Sequence, residues 1–105
     1  MKTYFFVAAS EKFLTVEEPL EEILKERERN YKENNKDKDF WLLKNPSFLQ
    51  TTQFDDLRAK IPHPSAAVLS TDKKFITFLK LRLEFVAVGE FEFPNAEITD
   101  PFKVE

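Results

Sequence analysis

The chain has 105 residues, of which 42% are hydrophobic, and this size is expected for one domain with its own core. The formal net charge of −3 argues against nucleic acid as the main partner, because contacts to phosphates require a basic face. The absence of cysteine excludes disulfides and thiolate metal sites, and a single glycine argues against glycine-rich phosphate-binding loops.

The first half of the chain predicts a strand, a helix and a second strand. Residues 3–9 form a short β-prone run that is typical of a central strand. The segment after Val16 predicts a surface helix that ends near Lys32, because its apolar residues recur at helical spacing and its acidic residues crowd the start. Pro19 fits the first turn of this helix, where its missing N–H costs nothing. The run DFWLLKN, residues 39–45, then predicts a second strand.

The second half predicts short helices, a third strand, a longer helix and a fourth strand. Residues 47–61 are typical of two short helices, and residues 65–70 of a strand with small side chains. Helical spacing of apolar residues predicts a helix over about 72–82, capped by Thr71. Alternation then predicts a strand over about 83–91.

The expected organisation is a single domain of residues 1–93 followed by a tail of residues 94–105. The tail contains prolines and is expected to be loosely ordered. The lengths of the connections allow parallel crossovers or antiparallel pairs. From the residues alone, an α/β domain with two or three layers is therefore expected.

Residue types that carry out catalysis or bind metals are scarce. His63 is the only histidine, and it lies between two prolines without a second ligand at a useful spacing. Adjacent carboxylates such as Glu21 and Glu22 point to different faces of a helix, so they do not form an acid–base pair. No stretch approaches the roughly 20 apolar residues that span a bilayer. The sequence predicts a soluble, intracellular protein without a cofactor or metal, which binds or scaffolds and is not an enzyme.

The second strand carries the first candidate for a binding site. In a strand, Phe40 and Leu42 share one face, and Trp41 and Leu43 share the other. Both faces are therefore apolar. Either protein covers both of them, or one face presents a large aromatic side chain to a partner. Asp39, directly before them, is either a turn residue or part of that partner surface.

Arg82 is the second candidate. It lies where the last helix is expected to meet the last strand, and there it can act as a cation at a helix C-terminus. It can equally be a planar donor for a carboxylate on a partner. A third interpretation is that Arg82 pairs with Asp39 of this chain.

Five segments follow one another in an order that is typical of one family. They are YFFVAASEKFL, EEPLEEILKER, DFWLLKNPSFL, PSAAVLST and FITFLKLRLEFVAVGEF. Together they cover roughly Thr3 to Phe91. This ordered set resembles the hypothetical chloroplast open reading frame fifty-four family of cyanobacteria and plastids.

The resemblance implies an α+β fold in which helices pack on a single, roughly four-stranded antiparallel sheet. It also implies a non-enzymatic accessory or assembly factor. The family binds the membrane-associated di-iron subunit of the Mg-protoporphyrin IX monomethyl ester oxidative cyclase and supports formation of protochlorophyllide in chlorophyll synthesis. The chain is then expected in the cytoplasm, with peripheral association with thylakoid complexes only through this partner.

The resemblance further implies a partner-binding patch that maps onto Asp39 and Phe40 of the DFW segment and onto Arg82 of KLRLEF. Trp41 and Leu43 are then expected to face the core. One alternative is a tetrapyrrole carrier, in which aromatic side chains stack on the macrocycle and Arg82 holds a propionate. Another is a catalytic subunit of the cyclase. A homodimer is also left open.

Overall fold

The computed structural model describes residues 1–18 and 20–105. Its centre is a sheet in the order β2-β3-β1-β4, and every neighbouring pair of strands is antiparallel. The strands are β1 (Lys2–Ser10), β2 (Phe40–Lys44), β3 (Ser65–Ser70) and β4 (Ala87–Phe93). The α+β fold with a four-stranded antiparallel sheet is thereby confirmed, and the parallel crossovers that the connection lengths allowed do not occur among these strands.

Two long helices cover one face of the sheet, α1 (Leu20–Glu33) and α3 (Lys73–Leu83). The predicted position of Pro19 in the first turn of α1 lies outside the described residues. Arg27 of α1 contacts Asp72 at the start of α3, whereas Leu20 lies beside Leu83 at its end. The two helices therefore run side by side in opposite directions.

The chain crosses the other face of the sheet in short turns. These are the 3₁₀ turns Ser47–Gln50 and Thr52–Phe54 and the one-turn helix α2 (Asp55–Arg58). A separate π-helical turn, Phe13–Glu17, follows β1.

Each face of the sheet has its own hydrophobic cluster, because side chains alternate along each strand. On β1, Val7 belongs to the cluster under α1 and α3, and Phe6 belongs to the opposite one. Both side chains are fully buried. Burial of a large apolar side chain stabilises the folded state by about 1.5–3 kcal/mol. Both clusters therefore stabilise the fold.

The single glycine has a packing role. Gly89 of β4 pairs with Phe6 of β1, and the Phe6 ring crosses the space where a side chain at position 89 would begin. A Cβ atom there would lie 2.5 Å from Cζ of Phe6. Glycine is thus required for close approach of the ring and not for a turn.

The end of α3 and the start of β4 differ from the prediction. Asp72 and not Thr71 caps the helix, because its Oδ1 accepts a hydrogen bond from the Lys74 N–H at 3.0 Å. The strand starts at Ala87 and not near residue 83. Glu84, with a φ of 62° and a ψ of −54°, forms a γ-turn that ends the helix, in which the Phe85 N–H donates to the Leu83 carbonyl at 2.7 Å. The chain then needs two more residues to reach the sheet.

The C-terminal tail is not loose, and this expectation was wrong. Ile98 is 2% exposed within the second cluster. The Ser47 N–H donates to the Lys103 carbonyl at 2.8 Å, and the ring of Phe102 lies 4.6 Å from that of Trp41. The tail therefore packs across the face of the sheet that lies opposite α1 and α3.

Candidate functional site: the groove between α1 and α3

Asp39 lies directly before β2 and is half-buried. Its Oδ1 accepts a hydrogen bond from the Tyr31 hydroxyl at 3.0 Å. Its backbone carbonyl accepts one from Ser70 Oγ at 2.8 Å and one from the Thr71 N–H at 3.2 Å. These contacts fix Asp39 where the end of α1 meets the start of α3.

Arg27 connects the two helices at this end of the groove. Its Nη2 donates to Asp72 Oδ2 at 2.9 Å and to the Tyr31 hydroxyl at 2.5 Å. Its guanidinium carbon lies 3.9 Å from the centre of the Phe75 ring, 4.9 Å from that of Tyr31 and 5.6 Å from that of Phe40. One cation is thus held by a carboxylate, a hydroxyl and the faces of three aromatic rings, each a stabilising contact.

Phe40 forms the floor of this cluster and is only 1% exposed. Its ring packs edge-to-face against Tyr31 and Phe75, with centroids 5.5 and 5.6 Å away. The expectation that the Phe40 side chain is displayed to a partner was therefore wrong, because this side chain is buried. The helices α1 and α3 cover the face of β2 on which Phe40 lies. Phe40 instead supports Tyr31, which in turn orients Asp39.

Trp41 lies on the opposite face of β2, as the alternation predicts. Trp41 and Leu43 are partly buried against the second cluster, which confirms that they face protein. Both faces of β2 are therefore covered. Of the two interpretations of this strand, the structure supports the one in which neither face is open to a partner.

Arg82 is exposed in the last turn of α3, at the other end of the groove. It lines a recess of about 150 Å³ together with Glu18 and Glu22. Asp39 is hydrogen-bonded to Thr71, and Arg82 follows Thr71 by about three turns of helix, which corresponds to roughly 15 Å. The interpretation in which Asp39 and Arg82 pair with each other was therefore wrong.

The groove consists of two neighbouring recesses. A wider part of about 520 Å³ is lined by Arg27, Tyr31 and Phe78, and Ile23 borders both this part and the recess beside Arg82. The walls combine aromatic and aliphatic surface with charged rims from both helices. A groove of this kind suits an extended or helical protein segment that carries apolar anchors and an acidic group.

Large apolar side chains are exposed on α3 and directly after it. Phe78 is 50% exposed, Leu81 74% and Phe85 80%. Phe75, Phe78 and Leu79 recur at helical spacing, but of these three only Phe75 and Leu79 are buried. A helix pattern that is apolar on more than one face is the signal that could have revealed this surface.

Within residues 1–18 and 20–105, no helix is both long enough and apolar enough to cross a bilayer. In the same ranges, no three histidine or acidic side chains are grouped closely enough to hold a metal ion.

Comparison with known proteins gives consistent matches. The sequence model of the family described as "Ycf54 protein" matches residues 2–93. The "Ycf54-like protein" of Synechocystis sp. is 50% identical over 101 residues, which cover 96% of this chain and 76% of that protein. The "Uncharacterized protein ycf54" of Pyropia yezoensis is 46% identical over 92 residues, covering 88% and 83%.

Solved structures agree with the sequence matches. A protein of Nostoc sp. PCC 7120 superposes with a TM-score of 0.95 at 51% identity, over 98% of this chain and 95% of that chain. The Ycf54 protein of Synechocystis sp. superposes with a TM-score of 0.94 at 48% identity, over 99% and 97%. The family resemblance of the five segments is confirmed: the chain belongs to the Ycf54 family.

Proposed function

We propose that the chain is a non-enzymatic accessory protein of the oxidative cyclase that converts Mg-protoporphyrin IX monomethyl ester to protochlorophyllide. It binds the di-iron subunit of that cyclase and supports its assembly or accumulation. Membership of the Ycf54 family supports this role, because the resemblance of the five sequence segments to that family implies an accessory factor of the cyclase. The observation that carries the binding site is the exposed guanidinium of Arg82 at the open end of the groove.

Arg82 is suited to a partner because the chain does not use it. Of the four arginines, Arg27, Arg29 and Arg58 form ion pairs with described residues, and Arg82 does not. A guanidinium that is already exposed can form a bidentate pair with a carboxylate of the cyclase without breaking an internal contact. Ile23 lines the same recess, and Phe78 lies one helical turn before Arg82, so both provide apolar contact area.

Asp39 and Phe40 contribute at the other end of the groove in different ways. Asp39 is half-buried and retains acceptor capacity beyond the hydrogen bond from Tyr31, so it can accept a donor from the cyclase. Phe40 has no exposed surface to offer and acts by holding Tyr31 and the base of α3 in place. In this proposal Asp39 and Arg82 are contacts and Phe40 is a positioning residue.

The location follows from the partner. We place the protein in the cytoplasm of a cyanobacterium or in the plastid interior, associated with thylakoid complexes through the cyclase. Relatives from Synechocystis sp. and a relative named "Protein YCF54, chloroplastic" from Arabidopsis thaliana support these two settings.

A tetrapyrrole carrier is less well supported. The aromatic end of the groove already holds the cation Arg27, and Asp72 and Tyr31 bind it there. Arg82, the cation that could bind a propionate, lies at the other end. Titration of the porphyrin ester into the purified protein separates the two functions, because a carrier shifts the Soret band and a protein-binding accessory factor does not.

The test of the proposed function is co-purification from detergent-solubilised membranes of a chlorophyll-producing host. The tagged wild type is expected to retain the di-iron subunit, and Arg82→Ala to lose most of it. The matched control is Arg29→Ala, because Arg29 is also an exposed helical arginine but pairs with Glu26 of its own helix. Equal retention by Arg82→Ala and wild type would place the contact elsewhere, and no retention by wild type would refute the partner.

A further inference from the structure

The outward surface of α3 has a chemistry that differs from the rest of the chain. Leu81 and Phe85 are, after Met1, the most exposed large hydrophobic side chains among the described residues. At 100° per residue, Leu81 lies opposite the buried side chains Leu79 and Leu83 of the same helix. Leu81 lies in the last turn of α3, and Phe85 follows two residues after the helix, beyond the turn at Glu84.

The charge of α3 is opposite in sign to that of the whole chain. The helix contains four basic residues and no acidic one, in a chain whose formal net charge is −3. Lys80 is partly engaged, since its Nζ donates to the Val86 carbonyl at 2.8 Å. The remaining cations flank the apolar residues on the outer surface, and the first acidic residue, Glu84, follows the helix. The basic helix residues are Lys73, Lys74, Lys80 and Arg82.

We propose that the outer face of α3 and the turn that follows it, with Leu81 and Phe85 as anchors and Lys73 and Lys74 as cations, contact the surface of an anionic lipid bilayer directly. An amphipathic helix with basic and apolar residues exposed together lies in the plane of the bilayer interface, with its apolar residues among the acyl chains and its lysines at the head groups. This surface adjoins the groove, because Lys74 also lines the wider part of the groove, and the lipid contact adds to the association through the cyclase.

Charge and shape favour a bilayer over a second copy of this chain. In a two-fold dimer through this face, α3 would pack on α3, and its cations would face the same cations of the second copy. Leu81 projects from the convex surface of a helix, so a partner has to deform around it, as a lipid surface does. Lysine stems can also extend along the apolar surface while their ammonium groups reach the lipid phosphates.

The test is flotation of the purified full chain with protein-free vesicles. The wild type is expected to float with vesicles that contain phosphatidylglycerol and not with pure phosphatidylcholine vesicles, and high salt is expected to release it. Leu81→Glu with Phe85→Glu is expected to abolish binding. The control, Val16→Glu with Val104→Glu, adds the same two charges at exposed apolar side chains outside α3 and is expected to keep it.

A second pair of variants tests the electrostatic part. Lys73→Gln with Lys74→Gln is expected to weaken binding to phosphatidylglycerol vesicles more than tenfold, because each cation near the surface contributes about a fivefold factor. Lys2→Gln with Lys103→Gln makes the same change in net charge at exposed lysines that share no recess with Leu81 or Phe85, and is expected to have little effect. Circular dichroism establishes that all variants are folded.

Two outcomes would overturn the proposal. If the wild type does not float with anionic vesicles, α3 does not bind lipid; loss of cyclase retention by the Leu81 and Phe85 variant in detergent would then mark this face as a protein contact. If both glutamate pairs reduce flotation equally, net charge and not the α3 face governs binding. The vesicles contain no cyclase, so these results do not depend on the proposed function.

Discussion

The two ends of the groove between α1 and α3 differ in how far the fold itself uses their polar groups. At the Asp39 end, Arg27, Tyr31 and Asp72 are bound to one another and rest on the buried ring of Phe40. At the other end, Arg82 is exposed and forms no ion pair with a described residue. The first end therefore holds the helices together, and the second leaves a cation available. The same surface thus contains both structural residues and residues free to bind.

The largest effect is expected from removing the floor of the structural end. Phe40→Ala leaves a cavity beneath Tyr31 and Phe75, and truncation of a buried phenylalanine typically costs about 3–5 kcal/mol of the free energy of unfolding. Urea unfolding followed by circular dichroism measures this cost. Phe40→Leu, which keeps most of the volume, should lose clearly less. If Phe40→Ala were as stable as wild type, the ring would not support this end of the groove.

A smaller effect is expected from the cation that joins the helices. Arg27→Met keeps the aliphatic stem and replaces the guanidinium over Phe75 by a thioether sulfur, so it removes mainly the charge. The ion pair with Asp72 is partly exposed and contributes at most about 1 kcal/mol, and the aromatic contacts add a similar amount, so a loss of about 1–2 kcal/mol is expected.

Arg29→Met is the control for this variant, since Arg29 lies on the same helix and its ion pair with Glu26 is fully on the surface. Its loss should stay within about 0.5 kcal/mol. Thermal unfolding of both variants side by side gives the comparison. Equal losses would mean that the cluster around Arg27 is no stronger than an ordinary surface pair.

The smallest effect on stability is expected at the open end. Arg82→Ala should change the free energy of unfolding by less than about 0.5 kcal/mol, because the exposed side chain makes no ion pair within the described chain. The same variant is expected to lose the cyclase in the co-purification test. A substantial loss of stability, measured by urea unfolding, would show that Arg82 is structural and would remove the contrast between the two ends.

Local pattern was sufficient to predict much of the fold. Short apolar runs bounded by polar residues indicate three of the strands. These runs are Thr3 to Ala9, the DFWLLKN segment and the small residues of β3. Helical spacing gave the extents of α1 and α3 to within a few residues. The antiparallel order required the family resemblance, since the connections allow other arrangements.

What could not be predicted depends on contacts between distant parts of the chain. Alternation assigned Phe40 and Trp41 to opposite faces, but it could not tell that α1 and α3 cover the face with Phe40. Arg27 is joined to Asp72 across 45 positions, and no local pattern indicates such a pair. The order of the tail likewise depends on the bridge between Pro46 and Val104 and on the packing of Phe102 against Trp41.

The docked tail has a practical consequence for where the chain can be cut or extended. The family match ends at residue 93, and a shortened protein made to that boundary would uncover the rings of Tyr4 and Trp41, against which Phe102 packs. Such a protein would have a newly exposed aromatic patch and should be prone to self-association. An affinity tag fused after Glu105 avoids this. It starts beside the end of β2, where the Glu105 N–H donates to the Asn45 carbonyl at 2.9 Å, and it leaves the contact between Phe102 and Trp41 in place.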